Sequence, residues 1–373
     1  MSDAFHALLA DVVVGYSTEV KPGDVVRIET YDLATTAMVR ETYAAALRAG
    51  GHPTANVVLD ANDETLLKEG NDRQVEWVPP DQRWNLEHGD VWIVFDAPTN
   101  TKSLSNVDPE RISRRMKARQ PLQSLYLERS ARGEFRWLIC GLPTEASAQD
   151  AGMSLRQFEQ VLHRAAFLDQ DDPVEAWKRF GDRLEKVGSL LETKRELRIV
   201  GEDTDLTLRV DGRTWIRSKG LRNFPDGEVF TGPVETSVEG TIRFSFPAIL
   251  RGRQAEDVRL RFEGGEVVEA TARRGEDFLR EMVAMDHGSR RVGEVAFGMN
   301  DAIGEFTGNV LLDEKIGGTV HLALGRSVPG TGGENESGLH WDIVCDLRDG
   351  GEVYADGELV YRDGAFLAAN GGS

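Results

Sequence analysis

Five ionisable residues lie in stretches that otherwise read as buried strand. His340 and Asp342 stand two apart in "GLHWDIVCD", Gly338 to Asp346, just ahead of Ile343, Val344 and Cys345. His321 sits in the middle of "GGTVHLALG". Glu228 and Glu294 occur in matching Gly-Glu-Val settings, "PDGEVFTGP" and "RVGEVAFGMN". A buried carboxylate has to be paired, hydrogen-bonded or bound to a metal, because removing its water is costly. Residues i and i+2 of a strand share a face, so His340 and Asp342 can point at one ion. Two imidazoles and three carboxylates form a ligand set of borderline softness. It suits Zn²⁺, Co²⁺, Mn²⁺ or Fe²⁺ better than Ca²⁺ or Mg²⁺. Five donors exceed what one tetrahedral ion needs, and a two-ion centre with a bridging carboxylate uses them all. Taken singly, a strand histidine is commonly a satisfied core residue, and a glutamate after glycine commonly faces solvent. The coincidence of all five carries the inference. His6, His52, His88, His163 and His287 fall in helix, turn or polar contexts and receive no assignment.

The elements that must hold these residues differ between the two halves of the chain. In the first, "KPGD" (Lys21–Asp24) reads as a turn and "VVRIET" (Val25–Thr30) as a strand. "TTAMVRETYAAALRAGG" follows as a helix with Val39, Tyr43 and Leu47 at helical spacing and Gly50–Gly51 closing it. "NVVLD" (Asn56–Asp60), "DVWIVFDAP" (Asp90–Pro98) and "FRWLICGLPT" (Phe135–Thr144) are further strands. Near-continuous apolar strands separated by helices predict βαβ units and a mostly parallel sheet. Two helices come next. "SLRQFEQVLHRAAF" carries Phe158, Val161, Leu162 and Ala165 on one stripe, and a second starts with Asp172 as N-cap and Pro173 at its first position. From about Lys194 the texture becomes short alternating strands joined by Gly and Asp turns, interrupted by one obvious helix, "GEDFLREMVAM" (Gly275–Met285). The expected fold is an α/β N-terminal domain with a mostly parallel sheet, residues 1–190, plus a β-rich α+β metal-binding domain, residues 191–373.

Composition bounds the partners. The net charge of 44 − 63 = −19 argues against a nucleic-acid surface, which needs clustered Lys and Arg. Most of that charge reads as solvated surface, and it also attracts metal ions and protonated amines. No apolar run is long enough to span a bilayer. "MSDAFHALLADVVVGY" opens acidic, without the basic start of a signal peptide, so a cytoplasmic setting is expected. Cys140 and Cys345 lie in apolar strand-like runs and read as two buried thiols rather than a disulfide.

At the residues singled out above, the sequence resembles a known family. "GEVFTGPVETSVEGTIRFSFP", "GEVAFG", "FTGNVLLDEKIGGTVHLALG", "TGGENES", "HWDIVCDLR" and "GGEVYADGELVYRDG" are similar to the metallo-aminopeptidases that include aminopeptidase T, aminopeptidase S and the PepS enzymes. The likeness is strong over about Gly227–Asp363 and weaker before it, where "AGMSLRQFE" and "DDPVEAW" fit the domain-joining region. It implies a two-domain homodimer with two divalent ions (Zn, Co or Mn) in the C-terminal domain, acting on peptides with a free N-terminus. Carried over residue by residue, the metal ligands are Glu228, Glu294, His321, His340 and Asp342. Glu228 or Glu294 would also bridge the ions or shuttle the proton. Asp313 and Glu314 of "LLDEKIGG" are candidates to orient the histidines, with a plain surface turn as the other reading. The Gly-rich "PGTGGENESG" (Pro329–Gly338) reads either as a mobile substrate lid or as a connection without a role.

One departure stands out. The family's tyrosine, seven residues after the first histidine, is Val328 here. That keeps two other readings open. One is a ring-cleaving dioxygenase using His321, His340 and Asp342 for a single Fe²⁺. The other is a non-catalytic peptide-binding relative.

Overall fold

A computed structural model describes residues 3–250 and 252–368; the closing "NGGS" lies outside them. The chain divides into two compact units, Met1–Glu175 with Gly220–Pro225, and Ala176–Lys219 with Asp226–Ser373. The dividing point falls inside the long helix Pro173–Glu192, and a short return of chain completes the first unit.

The first unit is built on a five-stranded sheet in the order His52–Val57, Val25–Thr30, Val91–Asp96, Arg136–Gly141, Asn223–Phe224. Every pairing in it is parallel. Helices cross over between its strands, as the alternating pattern predicts. Two expectations need correction. The strand expected at Asn56–Asp60 runs instead over His52–Val57, with Val25 opposite His52. It lies at the sheet edge, where Pro53 is tolerated because an edge strand can spare a donor, and Val57 and Leu59 are exposed. The helix expected after residue 35 does form, over Thr36–Arg48, but it buries Met38, Val39, Thr42, Ala45 and Ala46. Tyr43 and Leu47 face outward, because the small-residue stripe lets the helix approach the sheet closely. Cys140 and Cys345 are buried free thiols, as read.

The second unit holds an eight-stranded and a five-stranded antiparallel sheet. The five-stranded sheet runs in the order His340–Asp346, Thr319–Gly325, Val292–Gly298, Glu228–Thr231, Ile216–Ser218. Its strands Val292–Gly298 and Thr319–Gly325 are buried along their whole length. One face is apolar. Phe297 stacks with Trp215 at 6.1 Å, tilts against Tyr361 at 5.8 Å and meets Phe366 edge-on at 4.9 Å. Tyr361 and Phe366 belong to strands of the eight-stranded sheet, so this cluster ties the two sheets together. Phe297→Ala is expected to cost about 3–5 kcal/mol of stability, read as a lowered midpoint in urea unfolding. The opposite face of the same sheet carries the ionisable residues.

Candidate metal centre

Strand register explains why five residues scattered over 115 positions share one face. Glu294 stands opposite Ala323, and Ala323 opposite Asp342. His321 lies between Ala296 and Val344, two residues along. His340 faces Gly325, and Glu228 faces Gly298. With side chains alternating along each strand, all five project to the same side. Their cross-strand neighbours include Ala296, Gly298, Ala323 and Gly325, which leave that side open for longer polar groups.

The paired Gly-Glu-Val settings also have a physical cause. Gly227 has φ +136°, and a Cβ there would come within 2.7 Å of the Phe180 ring. A Cβ on Gly293 would meet the Gly325 carbonyl oxygen at 2.2 Å. Each glycine lets its glutamate enter the sheet against tightly packed neighbours.

The groups converge closely. His321 Nε2 lies 3.4 Å from Glu228 Oε2, 3.5 Å from Glu294 Oε1 and 4.0 Å from Asp342 Oδ1. His340 Nε2 lies 3.7 Å from Glu294 Oε2 and 3.5 Å from Asp342 Oδ2. Donor atoms of Glu228, Glu294 and His321 all fall within 4.8 Å of one another, as do those of Glu294, His340 and Asp342. A third such group joins Glu314, His321 and Asp342. His321, Glu228 and Glu294 are buried, while the His340 side chain keeps 35% exposure and marks the open side.

These contacts are ion-pair distances rather than hydrogen bonds. Both ring nitrogens of His321, and Glu228 Oε2, have no hydrogen-bond partner. Three such atoms inside a cluster of acids need an explanation, and a bound cation supplies one. Facing nitrogen and carboxylate donors with unsatisfied lone pairs fit a divalent ion of borderline softness. His340 Nδ1 donates to the Arg326 carbonyl oxygen at 2.8 Å, which fixes the tautomer and leaves Nε2 with its lone pair available to an ion.

Electrostatics follow the crowding. Burial raises the Glu294 carboxyl to about 7, with the charges of Asp342 and Glu228 adding to it against the counter-pull of His321. Burial alone would lower His321. The adjoining Glu294, Glu228 and Asp342 outweigh it and bring the imidazole to about 9. His340 moves up in the same way, the charges of Asp342 and Glu294 overcoming burial.

Of the two candidates in "LLDEKIGG", both are buried, so the surface-turn reading does not hold. Asp313 Oδ1 accepts from the Thr307 amide at 2.7 Å and its hydroxyl at 2.8 Å, and so braces a turn. Glu314 instead reaches the His321–Asp342 cluster. The residue that sequence reading missed is Lys315. It is only 1% exposed, and its ammonium donates to Glu228 Oε1 at 2.7 Å and to Glu314 Oε1, with Asp226 Oδ1 3.8 Å away. Burial disfavours its charge, but Glu228, Glu314 and Asp226 hold its pKa well above the ordinary lysine value. The same buried setting raises Asp226 to about 7 despite the pull of Lys315. The one signal in the sequence was a charged triplet wedged between Leu311–Leu312 and Ile316.

The glycine-rich segment Pro329–Gly338 is tied down at several points. Asp286 accepts from the Ser337 hydroxyl at 2.8 Å and the Gly338 amide at 2.8 Å. The Asn335 side chain donates to the Gly288 carbonyl at 2.9 Å, and the Thr214 amide donates to the Thr331 carbonyl at 3.0 Å. Ser337 and Thr331 are buried. Val328, at the departed tyrosine position, gives its carbonyl to the Thr331 hydroxyl at 2.7 Å.

A parallel-sheet unit, an antiparallel unit and a buried nitrogen–carboxylate cluster together define a metalloenzyme scaffold. Residues 6–366 match the family described as "Thermophilic metalloprotease (M29)", and the chain belongs to that family. It is 30% identical to aminopeptidase 2 of Geobacillus stearothermophilus over 318 residues, covering 74% of this chain and 76% of that protein. It is 29% identical to aminopeptidase T of Thermus thermophilus, covering 78% and 79%. Among solved structures, AmpT from Thermus thermophilus superposes with a TM-score of 0.83 at 24% identity, over 97% of this chain and 99% of that one. A 2,5-dihydroxypyridine dioxygenase from Pseudomonas putida superposes at 0.64 and 18% identity, over 99% and 98%. Both superpositions speak to the fold alone.

Proposed function

We propose that this chain is a metallo-aminopeptidase that releases N-terminal residues from peptides. It would use two divalent ions (Zn, Co or Mn) held by Glu228, Glu294, His321, His340 and Asp342. The observation that carries this reading is that Glu294 belongs to two donor clusters at once, one oxygen toward His321 and the other toward His340. A bridging carboxylate between two ion positions has that geometry. The relatives named as aminopeptidases support the peptide substrate. The retention of both buried glutamates supports a two-ion site over the three-residue iron site.

When bound, such ions supply an activated water and polarise the scissile carbonyl. The residues of the chain do the rest. Glu294, with one oxygen toward each histidine, would hold both ions, and Glu228 turns Oε2 toward His321. His340 is oriented by the Arg326 carbonyl at the open side. The excess of carboxylates around that opening attracts the free α-ammonium of a peptide. With Glu294 spanning and Glu228 gripped by Lys315, both act as ligands rather than as the base that passes protons. The homodimer implied by the resemblance and the expected cytoplasmic setting belong to the same proposal, and among the described residues no helix is long and apolar enough to cross a membrane.

The test compares amino-acid p-nitroanilides with their N-acetylated forms. Cleavage of the free amine with at least a 10²-fold preference is expected, since the ammonium contact is lost on acetylation. Equal rates on both would overturn the exopeptidase assignment.

A further inference from the structure

Lys315 is a buried lysine inside a ring of acids, and its placement is specific. Its backbone is clamped to a neighbouring segment, with the Asn300 amide donating to the Lys315 carbonyl at 3.0 Å and the Gly317 amide to the Asn300 carbonyl at 3.0 Å. Asn300 in turn donates from its side chain to the Asp226 carbonyl at 2.9 Å. The clamped backbone sets where the Lys315 side chain starts, and the acids around its ammonium set where it ends. There it engages Glu228 Oε1 at 2.7 Å, an oxygen that also accepts from the Ser218 hydroxyl at 3.3 Å. Glu228 Oε2, 3.4 Å from His321 Nε2, has no hydrogen-bond partner. One oxygen of the carboxylate is thus saturated by the protein and the other is left over.

We propose that Lys315 is a positioning residue that commits Glu228 to offering a single oxygen, Oε2, to the ion it shares with His321. Its fixed charge also separates Glu228 from Glu314, whose carboxylates would otherwise repel each other in a site shielded from water. The inference rests on the two-ion reading above. It makes the two ion positions unequal: only the one between Glu228 and His321 depends on Lys315. The ammonium's own contacts fall on Glu228, Glu314 and Asp226, and none of them on His340 or Asp342.

The experiment measures metal content and affinity rather than turnover alone. Parent protein and Lys315→Gln are loaded with Mn²⁺, dialysed against chelators of graded strength, and assayed for bound Mn²⁺. Losing the partner that orients a metal ligand costs about 10- to 100-fold in affinity. Lys315→Gln is therefore expected to hold one ion as the parent does and to release the other about 10- to 100-fold more readily. Glu228→Gln is expected to lose the same ion, and the double variant to lose no more than either alone, since both changes act through one carboxylate. Parental affinity for both ions, equal weakening of both, or losses that multiply in the double variant each overturn the proposal.

Removing a buried counter-charge can also prevent folding. Lys315→Arg covers that case. It keeps the charge but moves the donors, and it is expected to weaken the same ion selectively; unchanged affinity for both ions overturns the proposal. A parent chain holding a single ion would instead defeat the two-ion reading, and it is distinguished by the first measurement, before any variant is made.

Discussion

Glu294→Ala is expected to release both metal ions together and to abolish peptide hydrolysis. The reason is geometric. Glu294 faces His321 with one oxygen at 3.5 Å and His340 with the other at 3.7 Å. Asp342 divides its oxygens in a similar way, at 4.0 Å from His321 and 3.5 Å from His340, but only Glu294 joins the group that holds Glu228 to the group that holds His340, so losing it removes a donor from both of these at once. Metal ions of this kind supply several kcal/mol of transition-state charge stabilisation. A loss of about 4 kcal/mol corresponds to about 10³-fold in kcat/KM. His340→Ala, which removes a donor from one cluster only, is expected to leave one ion in place. Elemental analysis of the two purified variants checks both outcomes. If Glu294→Ala kept two ions per chain, Glu294 would not be the bridge.

The second large effect is a reversal in how stability responds to pH. In chelator, the metal-free protein is expected to lose stability as pH rises from 6 to 9. His321 is held up from 6.5 to about 9 by its carboxylate neighbours, against the effect of burial. A group raised in this way contributes stability that is fully present below its unfolded value and is lost as pH climbs through the folded one. For His321 that contribution is about 3 kcal/mol, lost between about pH 6.5 and 9. Glu294, raised by burial from 4.5 to about 7, acts in the same direction over a lower window, its contribution fading through about pH 7. With saturating Mn²⁺ the slope should invert. The ligands must shed protons to bind, so affinity and the mass-action stabilisation both grow with pH. Thermal midpoints measured with and without Mn²⁺ across this range decide the matter. Slopes of the same sign would count against His321 and Glu294 as ligands.

How much of this was legible beforehand varies residue by residue, for physical reasons. The five candidate ligands were visible because each broke an apolar strand pattern, and strand alternation alone placed His340 with Asp342. The stripe Phe158, Val161, Leu162 and Ala165 was read correctly because its residues are large enough to announce their face. The Asp172 cap was likewise found, its carboxylate accepting from the Glu175 amide at 3.0 Å. The helix Thr36–Arg48 was found but its face was misjudged, since alanines bury well and carry little signal. The helix Pro109–Ala131 was not individually seen; it buries Leu122 alone among its described residues and carries Pro121 within it, so no apolar stripe marks it. Lys315 was missed for a different reason. A lysine among acids ordinarily reads as solvated surface, and only the backbone clamp to Asn300 brings it indoors. Sequence spacing holds no record of a contact made across 87 positions.

The fastening of the Pro329–Gly338 segment by Asp286, Asn335 and Thr331 has a thermodynamic consequence. A segment that ordered only around a bound peptide would surrender its conformational freedom at that moment, and affinity would fall accordingly. Here the freedom is already forfeited during folding. A peptide that met this segment beside His340 would then do so with little additional entropic penalty.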